Sequence, residues 1–313
     1  MRRPSGGREK GASTGPSVQS GQPSGQDADS KSALPRGILY IVATPIGHLR
    51  DVSLRALDVL SSAALVACED TRITARLFAR HGISTPLIAY HDHNAERVRP
   101  GLLARLGAGE EIALVSDAGS PLVSDPGYKL VREAVDRGFG VTVVPGPSAA
   151  IAALQLSGLP ADRFFFAGFL PVKSAARRKT LAELKSVPGT LIFFETAPRL
   201  SRALADMADV LGDRPAAVAR ELTKMFEETR RDSLARLARH YAQAGPPKGE
   251  IVIVVAPPRA RPVAEAADVD RILGSALARL TPSAAAAETA RLTGLSRNEI
   301  YKRALKLRKG KAR

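Results

Sequence analysis

The chain has 313 residues, with 46 Lys and Arg against 31 Asp and Glu, a net charge of +15 and a single cysteine. One thiol, Cys68, excludes an intrachain disulfide framework and any multi-thiolate metal site. No apolar run approaches the ~18 residues of a membrane helix, and no apolar block follows the N-terminal arginines, so neither a membrane span nor a secretory leader is expected.

Those features predict a soluble, cytoplasmic protein, long enough for two domains and appendages. Residues 1–36 contain six Gly, four Pro and seven Ser with almost nothing to bury. They cannot offset their ordering entropy and are expected to be a disordered tail. From Ile38 onward, short β-branched or aliphatic runs at 38–43, 64–68, 112–115, 141–144, 164–169, 191–194, 216–219 and 251–256 alternate with amphipathic stretches. Such alternation predicts an α/β fold with buried, largely parallel strands. A break at 157–160 divides it into two α/β domains, 37–157 and 160–257.

Beyond Pro257-Pro258 the sequence becomes rich in Ala and Arg and loses its strand signal. Residues 265–313 are expected to form a small basic helical domain. A helix over 283–293 stops at Gly294, and Ser296 with Glu299 forms a capping box that opens the next helix. The second helix carries Arg297, Lys302, Arg303 and Lys306, and leaves Leu295, Ile300, Ala304 and Leu307 to pack. Residues 259–313 hold a net +8, whereas residues 37–258 hold only +4. This helix-turn-helix pattern, ending in seven basic residues among the last twelve, points to contact with RNA or DNA.

Three predicted strands run into loops rich in Gly, Pro, Ser and Asp: 44–48, 116–127 and 145–149. In open α/β sheets ligands bind beyond the carboxyl ends of the strands, and three such loops on one edge mark a site. No G-x-x-x-x-G-K-[ST] and no helix-opening G-x-G-x-x-G is present. The expected ligand is therefore held by backbone amides and carbonyls without a phosphate cradle.

The motifs Ala43-Thr44-Pro45-Ile46-Gly47, Cys68-Glu69-Asp70-Thr71-Arg72, the stretch 116–127 and Val144-Pro145-Gly146-Pro147-Ser148 occur in an order that resembles the tetrapyrrole methylase superfamily. Phe194-Glu195-Thr196-Ala197-Pro198-Arg199, Arg220-Glu221-Leu222-Thr223-Lys224 and Gly249-Glu250-Ile251-Val252 extend the likeness to residue 257. They are similar to the branch that methylates cytidine 2′-hydroxyls in 16S ribosomal RNA. The resemblance implies two α/β domains of the tetrapyrrole methylase type, with S-adenosylmethionine in the cleft between them, and a homodimer. The positions matching the family's cofactor loops are Pro45, Asp117, Ala118, Gly119, Ser120, Pro121, Ser148 and Ala149, joined by Phe194, Ala219 and Gly249 from the second domain. The loop 44–47 is poorer in glycine than in tetrapyrrole enzymes, as the RNA branch would have it.

Methyl transfer to a ribose hydroxyl needs an in-line acceptor and a base for its proton. The polar clusters nearest the expected crevice supply the candidates: Asp70 or His91 as base, and Arg72, Arg220 and Lys224 as phosphate contacts, with Lys224 also at the reacting centre. Lys173, Arg177, Arg178 and Lys179 are expected to form an RNA-facing loop, and Arg297 and Lys302 a second contact with the small ribosomal subunit. His91-x-His93 lacks a third ligand at metal spacing, so no metal is expected. Cys68 and the cluster 164–166 read as core strand. Two other readings fit parts of the sequence: a methyltransferase of precorrin-type tetrapyrroles, and a non-enzymatic nucleic-acid-binding regulator.

Overall fold

The computed structural model describes residues 37–258 and 266–310, except for the side chains of 266–268 and 308–310. The stretch 1–36, expected to be a disordered tail, lies outside the described residues, as does the start of the predicted helical domain at 265.

The first half forms a five-stranded sheet from β1 (Ile38–Val42), β2 (Leu65–Cys68), β3 (Leu87–Ala89), β4 (Ile112–Val115) and β5 (Gly140–Val144). Its order is β3-β2-β4-β1-β5, and every pairing is parallel. Successive side chains on a strand point to opposite faces, and both faces are buried at β2 and β4, whereas the edge strand β5 exposes Val143. Leu65, Ala67, Ile112 and Leu114 pack against the helices Ala95–Gly107 and Tyr128–Asp136. Val66, Cys68, Ala113 and Val115 pack against Leu54–Ser62 and Thr71–His81. Cys68 is fully buried, as a core residue should be. The chain leaves β1 toward one edge of the sheet and β4 toward the other, so the topological switch lies between these two neighbours, where a crevice opens beyond their carboxyl ends.

The second half holds β6 (Phe164–Phe169), β7 (Thr190–Thr196), β8 (Pro215–Arg220), β9 (Glu228–Ser233) and β10 (Glu250–Val255), in the order β6-β7-β10-β8-β9. Here the expectation of largely parallel pairing fails. Only β6 and β7 pair in parallel, while the other three pairings are antiparallel. The cause is β9, Glu-Thr-Arg-Arg-Asp-Ser, an edge strand too polar to register as one. It turns the chain back after β8, and helix Leu234–Ala244 then carries β10, now reversed, into the slot between β7 and β8. At the opposite edge β6 exposes Phe164 and Phe165, which the sequence had suggested were core.

One face of this sheet is covered by the helices Ser174–Leu184, Leu200–Leu211 and Leu234–Ala244, through Leu181, Leu204, Met207 and Leu237. The other face receives helix Ala149–Ser157, which follows directly from β5 of the first sheet. Its Ala150, Ala153 and Leu154 pack on Ile192, Ala217 and Val252, and Ile46 and Leu222 join the same cluster. The lobes are thus joined by a shared apolar layer behind the crevice.

Three C-terminal helices, Ala266–Leu277, Pro282–Thr293 and Arg297–Gly310, bury a core of their own around Val269, Leu273, Ala285, Ile300 and Ala304. The turn runs through Gly294 in the left-handed region (φ 75°), and the Glu299 amide donates to Ser296 Oγ at 3.4 Å. Ile300 and Ala304 face inward as predicted. Helix Ala266–Leu277 carried no signal strong enough to be read beforehand.

Candidate active site

The three loops expected to share an edge are stitched into one wall. After β1, the Thr44 amide donates to the Gly119 carbonyl at 2.8 Å, and the Gly119 amide returns a bond to the Thr44 carbonyl at 3.0 Å. Thr44 Oγ1 donates to the Ser116 carbonyl at 3.0 Å. The Ala43 amide bonds the Val144 carbonyl at 3.1 Å, joining the start of the loop after β1 to the end of β5. Gly119 sits at φ 82°, which lets its backbone pair with Thr44 while its Cα faces Ile46. Leu122 (φ 70°) and Ser124 (φ 67°) occupy the same region without being glycine, a strain that clusters at functional sites.

The facing wall uses the reversed strand. Antiparallel pairing sets Thr196, at the end of β7, beside Glu250, at the start of β10. The Glu221 amide donates to the Glu250 carbonyl at 3.1 Å. Glu221 and Thr223 again have positive φ (50° and 62°). Their loop presses on the β1 loop of the other lobe: the His48 amide donates to Thr223 Oγ1 at 3.0 Å, and a Cβ on Gly47 would come within 2.7 Å of the Leu222 carbonyl oxygen.

Between the walls lies a cleft of about 480 Å³, within the range of small-molecule sites. Of the eleven positions assigned to the cofactor, Asp117, Ala118, Gly119, Ser120, Ser148, Ala149, Phe194 and Gly249 line it. Pro45 and Pro121 are buried and do not line it, and Ala219 is fully enclosed in the interlobe core. The cleft also takes Asp125, Phe169, Glu195 and Glu250, which the sequence reading had not assigned to the site. Phe169 and Phe194 meet edge to face at 5.6 Å.

The predicted catalytic side chains separate. Asp70 caps helix Thr71–His81, accepting from the Arg72 amide at 2.8 Å and from the Arg72 guanidinium at 2.6 Å. These bonds hold its carboxyl down at about 2, so it is a weak proton acceptor at neutral pH. Its amide donates to Asp117 Oδ1 at 2.9 Å, which places it just behind the wall. His91 does not line the cleft, and its Nδ1 is buried without a hydrogen-bond partner among the described residues. Lys224 Nζ reaches Glu221 at 2.9 Å and Glu250 at 3.1 Å. Against burial, which favours the neutral amine, these bonds raise its pKa, so it is a fixed ammonium that orients one wall.

The substrate contacts also divide. Arg72 is largely exposed beside Asp70, and Arg220 is tied to Glu228 at 2.7 Å. The expected RNA-facing loop is corrected at Arg177. Its side chain is buried and forks onto Asp206 at 2.6 Å, because Asp206 faces it from helix Leu200–Leu211. Arg178 pairs with Asp206 and Asp209, leaving Lys173 and Lys179 as the exposed cations of that run. Arg297 and Lys302 are exposed on the last helix, with Arg297 bonded to Ser283 Oγ. Among the described residues no group of three His, Cys, Asp or Glu could hold a metal ion.

The family model for tetrapyrrole (corrin/porphyrin) methylases matches residues 38–238, and the RsmI C-terminal HTH domain matches 263–308. The chain belongs to the tetrapyrrole methylase family. Within that family it is 54% identical over 271 residues to the ribosomal RNA small subunit methyltransferase I of Mesorhizobium japonicum, covering 86% of this chain and 92% of that protein. The protein of the same name from Pseudomonas aeruginosa is 49% identical over 280 residues, covering 88% and 99%. Among solved structures, diphthine synthase shares the methylase fold with a TM-score of 0.55 at 17% identity, over 70% of this chain and 90% of that one. In this tetrapyrrole methylase the paired loops and the reversed β10 build the cleft, and the C-terminal helices form a separate basic module.

Proposed function

We propose that this protein transfers a methyl group from S-adenosylmethionine to small-subunit ribosomal RNA, at the 2′-hydroxyl of a cytidine in the 16S molecule. The observation that carries the reading is likeness along nearly the whole length, basic helical module included, to proteins named for small-subunit rRNA methylation. A precorrin-type substrate would leave that module without a task, and a non-enzymatic regulator would leave the strained, acid-lined cleft without one.

The chain's own residues suit the donor. S-adenosylmethionine supplies, when bound, a methyl group on a sulfonium that is already activated for displacement. Asp117, Asp125, Glu195 and Glu250 line the cleft, and carboxylates favour a ligand bearing sulfonium and ammonium charge. Helix Ala149–Ser157 begins in the cleft, and the side chain of its N-cap residue Ser148 makes no capping bond among the described residues. The N-terminus of a helix favours an anionic group such as the donor's own carboxylate. Phe169 and Phe194 offer an apolar edge to a flat ring. Exclusion of water from this partly enclosed space strengthens each of these contacts.

RNA would be gathered by the exposed cations on the last helix, Arg297, Lys302 and Lys306, with Lys173 and Arg72 nearer the cleft. Phosphate contacts of this kind position a strand and lose strength with salt. The reading also takes the protein to work in the cytoplasm, as a homodimer of the kind that the superfamily resemblance in its motifs implies. No helix among the described residues is long and apolar enough to cross a membrane.

Tritiated S-adenosylmethionine, incubated with the protein and either 30S subunits from a strain lacking its gene or a precorrin-type tetrapyrrole, tests the reading. Label in one 16S fragment, at a site that becomes resistant to alkaline hydrolysis, is the expected result. Label in tetrapyrroles alone, or none at all, would overturn it.

A further inference from the structure

Four carboxylates line the cleft, and three of them are already engaged. Asp117 Oδ1 accepts the Asp70 amide at 2.9 Å, Glu195 pairs with Arg199 at 3.1 Å, and Glu250 pairs with Lys224 at 3.1 Å. Asp125 faces the same space with no cationic partner among the described residues. Of the bases suggested by sequence, Asp70 is locked in the fork of Arg72 and His91 lies off the cleft. Resting on the methyltransferase reading above, we propose that Asp125 is the catalytic residue that takes the proton from the acceptor hydroxyl.

Its surroundings make it a base and keep it in place. Glu69, from the end of β2, and Asp117 and Ser116, from the end of β4, are the titratable and hydrogen-bonding groups that face it. Burial first, then the negative charges of Glu69 and Asp117, push its carboxyl up to about 6, against the Ser116 hydroxyl that favours the anion. A carboxylate in that range is both ionised at neutral pH and basic enough to accept a proton as a new bond forms. The left-handed turn at Ser124 and the Pro126-Gly127 step that follows (Gly127 φ 131°) fix the backbone on either side.

The step balances. The hydroxyl O–H bond breaks and its proton passes to an Asp125 carboxylate oxygen. The oxygen forms a bond to the methyl carbon, and the carbon–sulfur bond breaks with its electron pair remaining on sulfur, leaving a neutral thioether. Solvent then takes the proton from Asp125 and restores the anion.

Single-turnover methylation of 30S subunits, measured from pH 4.5 to 8.5 for the wild type, Asp125→Asn and Asp125→Glu, tests the proposal beside calorimetric titration with S-adenosylmethionine. The wild-type rate should rise tenfold per pH unit to a plateau, with a midpoint at or below 6 because a bound cation lowers the carboxyl. Asp125→Asn should be slower by roughly 10²- to 10⁴-fold with no acid limb, while its donor affinity falls far less than its rate because three other carboxylates still line the cleft. Asp125→Glu should recover part of the rate and show an acid limb again. A rate for Asp125→Asn within about threefold of wild type, or an unchanged acid limb, would overturn the assignment. So would a loss of donor binding that alone accounts for the slowing, since Asp125 would then hold the donor. If the wild type itself leaves rRNA unlabelled, it is the function reading that fails, and the assignment goes with it.

Discussion

The two walls of the cleft are both acidic, yet they treat their carboxylates in opposite ways. On the second lobe the two that line the cleft have cations, and so do two close by: Glu195 has Arg199, Glu250 shares Lys224 with Glu221, and Glu228 has Arg220. On the first lobe burial first, and then neighbouring carboxylates, raise the pKa of Glu69, Asp117 and Asp125, with Asp70 repelling Asp117, and Glu69 and Asp117 repelling Asp125. Compensated charge gives geometry, because a paired carboxylate keeps one position and one protonation state. Uncompensated charge gives reactivity and an attraction for cations, at a cost in stability. One wall is therefore built to hold and the other to act.

That contrast can be broken most severely behind the second wall. Asp206→Ala would leave the buried Arg177 guanidinium without its anion, and urea unfolding should show a loss of about 3–5 kcal/mol. A loss under about 1 kcal/mol would mean that pairing does not support this lobe. Gly249→Ala comes next. Its φ of 99° and the overlap of a new Cβ with the Glu221 carboxylate should cost about 1–3 kcal/mol and weaken donor binding in calorimetry.

On the first wall the expected sign reverses. Because the Asp125 pKa lies above its unfolded value, the folded state holds the extra proton between about pH 4 and 6. Stability from this group is thus fully present below pH 4 and is lost as pH rises through 6. Asp125→Asn should remove that loss and stabilise the protein at pH 7–8 by about 1 kcal/mol, a figure reduced for the partial exposure of the side chain. Equal melting temperatures for wild type and variant across pH 4–8 would contradict it. The smallest effect is expected for Lys224→Met, about 1 kcal/mol or less because the ammonium is partly exposed. Its sharper readout is the Glu221 carboxyl, now held low first by its bond to Lys224, which should titrate higher by NMR in the variant.

Much of the first lobe could be read directly from the chain, because parallel strands buried on both faces leave continuous apolar runs that composition cannot disguise. The loops after β1, β4 and β5 were legible for the same reason: each follows such a run and carries Gly and Pro where helices avoid them. β9 was not, since an edge strand of Glu, Thr, Arg, Arg, Asp and Ser has no apolar side to betray it, and with it went the direction of β10. Arg177 looked like surface because its partner Asp206 is 29 residues away and becomes a neighbour only when the two helices pack. Asp125 lies within one of the loop motifs, but its perturbation comes from burial in the folded cleft and then from Glu69 arriving after β2. A role produced by two chain segments meeting has no signature in either of them. Ala219 shows the converse, a position in a matched motif that the fold spends on the interior.

Helix Ala149–Ser157 grows out of the first sheet but rests on the second. Neither half can therefore be cut away cleanly: severing the chain after β5 strips the second sheet of its cover, and severing it after the helix leaves that cover projecting from the first. Thermal denaturation of residues 37–258 should accordingly appear as one calorimetric peak. A ligand seated at the start of that helix would move the whole peak upward and leave no trailing shoulder.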